Sequence, residues 1–217
     1  MSNRRRPNPF ASVYPFRGNT PPGVYQTIEI GSGRATRLRR NAERFPKRKY
    51  AAIDIGYSFP LENFRNASAD LKQKGVDVYS TSMAMALHSI IKSGMKARNI
   101  EMEMPLPLSF SDIASHPTPT EHLIRFRRQL RFLLGKVSFL LLPGGKIFIH
   151  TESLAFATAV RELARDFGLS VQERNPMPIR EAAERSQHTQ NYSQKGVPIR
   201  RFVLVYHPHR YRLPLRK

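Results

Sequence analysis

The sequence predicts an α/β domain, with a mostly parallel sheet covered by helices on both faces. Three observations predict it. Short apolar runs of strand type alternate with stretches whose apolar residues recur at helical spacing. One of those runs leads straight into a glycine-bearing turn that opens a helix, an arrangement at home in parallel α/β sheets. None of the 217 residues is cysteine, so the fold rests on a hydrophobic core rather than on disulfides or cysteine-held metal.

Taken in order, residues 1–23 hold five prolines and no helical or strand period, which reads as a flexible basic arm. Gln26 to Ile30 is a short strand that runs into Gly31-Ser32-Gly33, and a helix follows from about Ala35 to Arg44, stopping before Pro46. Tyr50 to Ile55 is a buried-strand run, and Val76 to Tyr79 a third strand. Met83 to Ser93 is weakly amphipathic and helical. Ile100 to Met104 is a strand ending in Pro105-Leu106-Pro107, and the proline-rich stretch up to Pro119 is a loop. The next helix runs from Thr120 to Leu134, with Phe126, Leu130, Leu133, Leu134 and Val137 spaced to face the sheet. Leu140 to Pro143, a Gly144-Gly145 turn and Lys146 to His150 give a strand, and Phe156, Val160, Leu163 and Phe167 mark another helix. Arg201 to His207 closes as a strand, so the globular domain spans 24–207 and 208–217 is a basic tail.

Charge narrows the partners. Thirty-six Lys and Arg stand against 16 Asp and Glu, a net charge of +20. Self-repulsion makes such an excess unfavourable for folding alone, and polyanions are its usual reason, because phosphates attract the surface and release counterions on binding. No apolar run approaches the roughly 18 residues of a membrane-spanning helix. The lack of cysteine fits a reducing compartment, and the reading is cytoplasmic. The Arg-rich start shares the bias of an organelle transit peptide, but Pro7, Pro9 and Pro15 break the amphipathic helix such peptides form.

The glycine turn carries the chemistry. Glycines at Gly31 and Gly33 let backbone approach a ligand with no Cβ in the way, beside Ser32. Asp54 ends the next strand about 20 residues on, where an acidic side chain takes the hydroxyls of a ribose. Glu29 precedes the turn. Dinucleotides and S-adenosylmethionine both carry a ribose. Thr36, however, occupies the last place of the dinucleotide G-x-G-x-x-G pattern, which tilts the reading to S-adenosylmethionine. A tight turn with no ligand is the plainer alternative.

Arg37, Arg40 and Arg44 recur at i, i+3 and i+7 on the helix after the turn, followed by Lys47 and Arg48, and Arg125 and Arg128 decorate the long helix. A solvated helix face and a phosphate grip are the two readings of such clusters. The histidines form no spaced ligand set, and no metal is expected. Neither a G-x-S-x-G elbow nor a phosphate-loop lysine motif occurs, so hydrolase and triphosphatase chemistry have no residues to rest on.

Three blocks resemble a known family. Glu29-Ile30-Gly31-Ser32-Gly33, Glu43-Arg44-Phe45-Pro46 and Ala52-Ile53-Asp54-Ile55 resemble the opening of the bacterial tRNA (guanine-N7)-methyltransferases. Leu142-Pro143-Gly144-Gly145-Lys146 with Ile149-His150-Thr151-Glu152 resembles a later strand of that family. Ser186-Gln187-His188-Thr189, Tyr192 and Gly196-Val197-Pro198-Ile199-Arg200 resemble its C-terminal substrate-binding stretch. The resemblance implies a Rossmann-like class I methyltransferase fold with a seven-stranded sheet, S-adenosylmethionine as cofactor and tRNA or other structured RNA as partner. It implies that Glu29, Gly31, Ser32, Gly33 and Asp54 hold the cofactor, with Ser82 and Met83 near its adenine. It implies that Pro105, Leu106, Glu152, Ser186 and Thr189 line the place of the target base. The chain departs from the family at three anchors. Leu106 stands for the aspartate of a proline-aspartate-proline-tryptophan motif, Ser82 and Met83 for an acid near the adenine, and Thr189 for a glutamate. A catalytically silent RNA-binding or ribosome-associated protein on the same fold is therefore the alternative.

Overall fold

The computed structural model describes residues 23–33, 35–54, 62–103, 119–151, 154–182 and 193–211. Its elements in chain order are β1 (Val24–Ile30), α1 (Thr36–Arg44), β2 (Tyr50–Ile53), α2 (Glu62–Gln73), β3 (Val76–Tyr79), α3 (Met83–Lys92) and β4 (Lys96–Glu103). There follow α4 (Pro119–Leu140), β5 (Leu141–Thr151), α5 (Leu154–Leu163), a single 3-10 turn (Ala164–Asp166), β6 (Phe167–Arg174), α6 (Ile179–Ala182) and β7 (Arg200–Tyr211).

Seven strands form one sheet in the order β3-β2-β1-β4-β5-β7-β6. Every pairing from β3 across to β5 is parallel, whereas β7 runs antiparallel to both β5 and β6. The parallel part follows from right-handed strand–helix–strand crossovers, which also put helices on both faces and bury the central strands completely. All seven residues of β1 are buried, as are all four of β2.

Each face has its own core. On one, Leu38 and Ala42 of α1 and Leu71 of α2 pack against Tyr50, Ala52 and Val76. On the other, Ala86, Leu87 and Ile90 of α3 and Leu130, Leu133, Leu134 and Val137 of α4 close over Ile28, Ile30, Ile100, Met102 and Ile147. The apolar spacing on α4 thus reaches the sheet as its 3.6-residue period requires. Among the described residues no helix is long and apolar enough to cross a membrane.

The structure revises several expected boundaries. The helix expected to stop at Leu134 continues to Leu140 and leads directly into β5. The expected break at Pro143 to Gly145 is instead an irregularity inside β5, where the pairing with β4 slips between Ala97 and Asn99. Phe167, assigned to a helix, begins β6, and it stays buried because it points into the same core as Phe156, Val160 and Leu163. β7 passes His207 and enters the expected tail as far as Tyr211, which pairs with Phe167. Residues 1–22 of the expected arm and 212–217 of the expected tail lie outside the described residues.

Candidate cofactor and nucleic-acid site

Because β1 to β5 are parallel, their C-terminal ends share one edge, and the glycine turn sits in the middle of it. Gly31 follows Ile30 with φ +72, a left-handed conformation that suits glycine. A Cβ there would come to 2.9 Å of the Glu103 carbonyl oxygen at the end of β4, so the position is closed to side chains on steric grounds as well. Gly33 has φ +53, and a Cβ placed on it meets nothing within 4 Å. One glycine of the pair is wedged against the sheet, and the other faces open space.

Backbone hydrogen bonds pin the turn. The Gly31 and Ser32 amides donate to the Ile53 carbonyl at 2.9 and 3.4 Å, and Ala35 N donates to Ser32 O at 2.7 Å. The Asp54 carboxylate Oδ2 accepts the Gly33 amide at 2.6 Å. Asp54 is itself placed by its own amide, which donates to the Tyr79 carbonyl at the end of β3 at 3.2 Å. The turn, the end of β2 and the end of β3 are thereby tied together. Ala35 also takes a left-handed φ of +47 as the N-cap of α1 and offers no side-chain hydrogen bond to the helix.

Ser82 and Met83 stand on the same edge, at the start of α3. The Ser82 hydroxyl accepts the Met85 amide at 3.4 Å, which caps the helix in the ordinary way. Met83 packs partly buried against the core beneath.

Glu29 is buried one step below the turn and lies in register with Ala52 on one side and Glu101 on the other. It belongs to a buried polar layer on the α1 face. Arg37 reaches in from α1 to Glu101 with Nη1 3.1 Å from Oε1; the two side chains are 18 % and 1 % exposed. Glu103 and His150, opposite one another in β4 and β5, meet at 3.1 Å with both side chains buried. Carboxylates are driven into a core only where charge or hydrogen bonds compensate their lost hydration, and Arg37 and His150 supply part of that. The sequence reading did not single out Glu101, Glu103 or His150 as site residues. The available signal was two acids alternating in Ile100-Glu101-Met102-Glu103, a strand otherwise apolar and adjacent to the glycine strand.

The expected phosphate contacts divide. Arg40, Arg44 and Lys47 are exposed along α1 and its end, and Arg128 is exposed on α4. Arg37 and Arg48 were grouped with them, but the structure turns both inward. Arg37 is held by buried Glu101, and Arg48, 8 % exposed, lies with its guanidinium 4.3 Å from the Phe45 ring centroid. Tyr50 stands beside it, its phenol pushed up to about 12 by burial, an effect that Arg48 partly offsets. An arginine with an aromatic ring and a phenol as neighbours gains more from packing its planar group than from reaching into water. Arg125 lies on α4, but its side chain is outside the described residues, as are Pro105, Leu106, Glu152, Ser186 and Thr189. Among the described residues no three metal-ligating side chains come together.

No family model matches the chain, and no curated protein matches its sequence. Solved structures do. The 16S rRNA methyltransferase KamB is 12 % identical, with 92 % of this chain and 93 % of that one covered at a TM-score of 0.52. An rRNA methylase from Streptococcus thermophilus is 11 % identical, covering 85 % and 88 % at 0.51. A precorrin-6y C5,15-methyltransferase from Geobacter metallireducens GS-15 is 13 % identical, covering 89 % and 85 % at 0.52. At such identities the likeness is one of architecture. The chain has the Rossmann-like fold of the class I methyltransferases.

Proposed function

We infer that the chain is an S-adenosylmethionine-dependent RNA methyltransferase, with tRNA as its substrate and guanine N7 as the methylated atom. The observation that carries this reading is the Gly31 to Gly33 turn, locked to Asp54 at the C-terminal edge of the sheet. Its residues fit the cofactor. The open side of Gly33 leaves room for a ligand against backbone, and Asp54, just past the end of β2, would grip the ribose. Glu29, Gly31, Ser32 and Gly33 would hold the amino acid and sugar portions, with Ser82 and Met83 near the adenine. When bound, the cofactor supplies an electrophilic methyl group on a sulfonium.

What the protein has to add follows from the target atom. Guanine N7 carries a lone pair and no proton, so the reaction asks for in-line placement rather than a general base. Positioning then falls to the stretches holding Pro105, Leu106, Glu152, Ser186 and Thr189. Phosphate affinity falls to the exposed cations Arg40, Arg44, Lys47 and Arg128, consistent with a net charge of +20. The resemblance to tRNA (guanine-N7)-methyltransferases supports the choice of base and RNA.

A second reading, a catalytically silent RNA-binding protein on this fold, is favoured by Leu106, Ser82 and Thr189, which stand where the resembled family has acids. Calorimetric titration with S-adenosylmethionine and with its demethylated product separates the two. Micromolar binding followed by methyl transfer to tRNA is the expected result. No binding at millimolar ligand, from protein that still binds tRNA, transfers the case to the second reading.

A further inference from the structure

The flank of the molecule formed by α3 and α4 carries a feature of which the proposed reaction uses only Arg128. Along the outer face of α4, Arg128, Phe132, Lys136 and Phe139 follow one another at spacings of four, four and three residues, which align them in one stripe. Phe132 is 53 % exposed and Phe139 59 %, on a helix whose opposite side is fully buried in the core. The stripe and Ile91 of α3 line a groove of about 570 Å³. Its floor is close-packed: a Cβ on Gly135 would come to 3.2 Å of the Phe167 ring, so the helix rides directly over β6 there.

Charge tells what such a groove receives. From Ile124 to its end α4 has no acidic residue, and α3 has none at all. Two acids from neighbouring elements reach α4: Asp166 pairs with Arg131, which also lines the groove, and Glu162 pairs with Arg127. Cations also border the rings. Lys136 Nζ stands 5.4 Å from the Phe132 centroid, and Lys96 Nζ stands 4.3 Å from the Phe139 centroid while donating to the Phe139 carbonyl at 2.7 Å. Exposed rings flanked by cations suit unpaired bases and their phosphates. A second copy of the chain would bring +20 against +20.

We propose that this groove is a second RNA-binding surface, which takes a single-stranded segment by stacking bases on Phe132 and Phe139 and holding phosphates with Arg128 and Lys136. The inference rests on the reading that the chain works on RNA, and it extends that reading to the shape of the substrate. Lys96 opens β4 and Phe139 lies near the end of α4, so the groove is near the N-terminal edge of the strands, opposite the glycine turn. Eight residues of β4 separate the two edges, about 25 Å at a strand rise of ~3.3 Å per residue. An RNA that engages both must span that height, which a short oligonucleotide at the turn cannot do.

Fluorescence anisotropy of a labelled oligouridylate over a salt series tests the proposal. Arg128→Gln with Lys136→Gln should weaken binding about 10-fold and lower the salt slope by about 1.4, at ~0.7 for each single-strand phosphate no longer neutralised. Phe132→Ser with Phe139→Ser should weaken it about 10-fold and leave the slope unchanged, as stacking requires. Arg128, Phe132 and Phe139 are exposed and Lys136 is half-buried, so thermal melting of each variant should stay close to the wild type. Binding and slope equal to wild type in both variants overturns the groove and leaves the RNA reading standing. So does a wild-type dimer, seen in sedimentation, that Phe132→Ser with Phe139→Ser disperses at unchanged oligouridylate affinity. Wild-type protein that binds no oligouridylate at all, and no tRNA, overturns the RNA reading and the groove with it.

Discussion

Asp54 and Gly33 stand 21 residues apart in the chain and meet at 2.6 Å, the carboxylate of one accepting the backbone amide of the other. The contact gives Asp54 two tasks, fixing the turn and presenting a carboxylate at the edge of the sheet. Separating them is the first prediction. Asp54→Ala should weaken S-adenosylmethionine binding about 10- to 100-fold, the worth of a hydrogen bond to a charged group. Oligouridylate affinity should stay as in the wild type, because the exposed cations are untouched. Calorimetry and anisotropy on one preparation measure both, and equal cofactor affinity in the variant would remove Asp54 from the site.

Gly31 makes a sharper demand than Gly33. Gly31→Ala meets the Glu103 carbonyl at 2.9 Å in a left-handed backbone, and a loss of about 1–3 kcal/mol in urea unfolding is expected. Gly33→Ala has open space around it and should lose less stability while still impairing cofactor binding. The reverse ranking would mean that the turn is not held as described.

Arg37 and its helix neighbours should behave as different classes of residue. Arg37→Ala takes the Arg37 guanidinium away from buried Glu101 and should destabilise by about 2 kcal/mol, somewhat less than a fully enclosed pair because Arg37 keeps some solvent contact. Adding Glu101→Gln should recover much of that loss. Arg44→Glu and Lys47→Glu should leave the melting temperature within error and instead reduce tRNA affinity, lowering the salt slope by about 0.9 for each duplex phosphate no longer neutralised.

Alkaline stability offers a further check. Tyr50 titrates near 10 when unfolded and is raised to about 12 in the fold, chiefly by burial. Between those values the unfolded chain has released this proton and the native one has kept it, so stability falls as pH rises through that window. Tyr50→Phe should flatten the decline between pH ~10 and ~12. An unchanged slope would mean that the phenol is open to solvent.

How much of this was legible beforehand depended on whether a signal was local. The glycine turn, β2, the place of Asp54 just past its end, and the inward spacing of Leu130, Leu133, Leu134 and Val137 are legible, because strand and helix periods and turn residues are written into a few adjacent positions. The polar helix α2 carries little signal: among the described side chains of Glu62–Gln73 only Leu71 is a fully buried apolar anchor, with Ala67 partly buried one turn before it. β6 was missed although Phe167, Leu169 and Val171 alternate with Gly168, Ser170 and Gln172, because Phe167 also completes a helical spacing with Phe156, Val160 and Leu163. One residue satisfied both periods, and the wrong one was chosen. The inward turn of Arg37 and Arg48 was invisible for another reason. Their partners Glu101 and Phe45 are brought within reach by tertiary packing or a local turn that composition does not encode.

The place of β7 bears on how the chain is made. It is synthesised after β6, yet it lies between β5 and β6 and pairs with both. While translation proceeds, β1 to β5 can assemble as each crossover completes, but β6 has no partner in the sheet until residues 200–211 emerge. During that interval β5 presents a bare edge able to pair with another nascent chain. A ribosome stalled in this stretch would therefore hold a half-closed sheet, and yield of folded protein should depend on translation speed through β7 more than through any earlier strand.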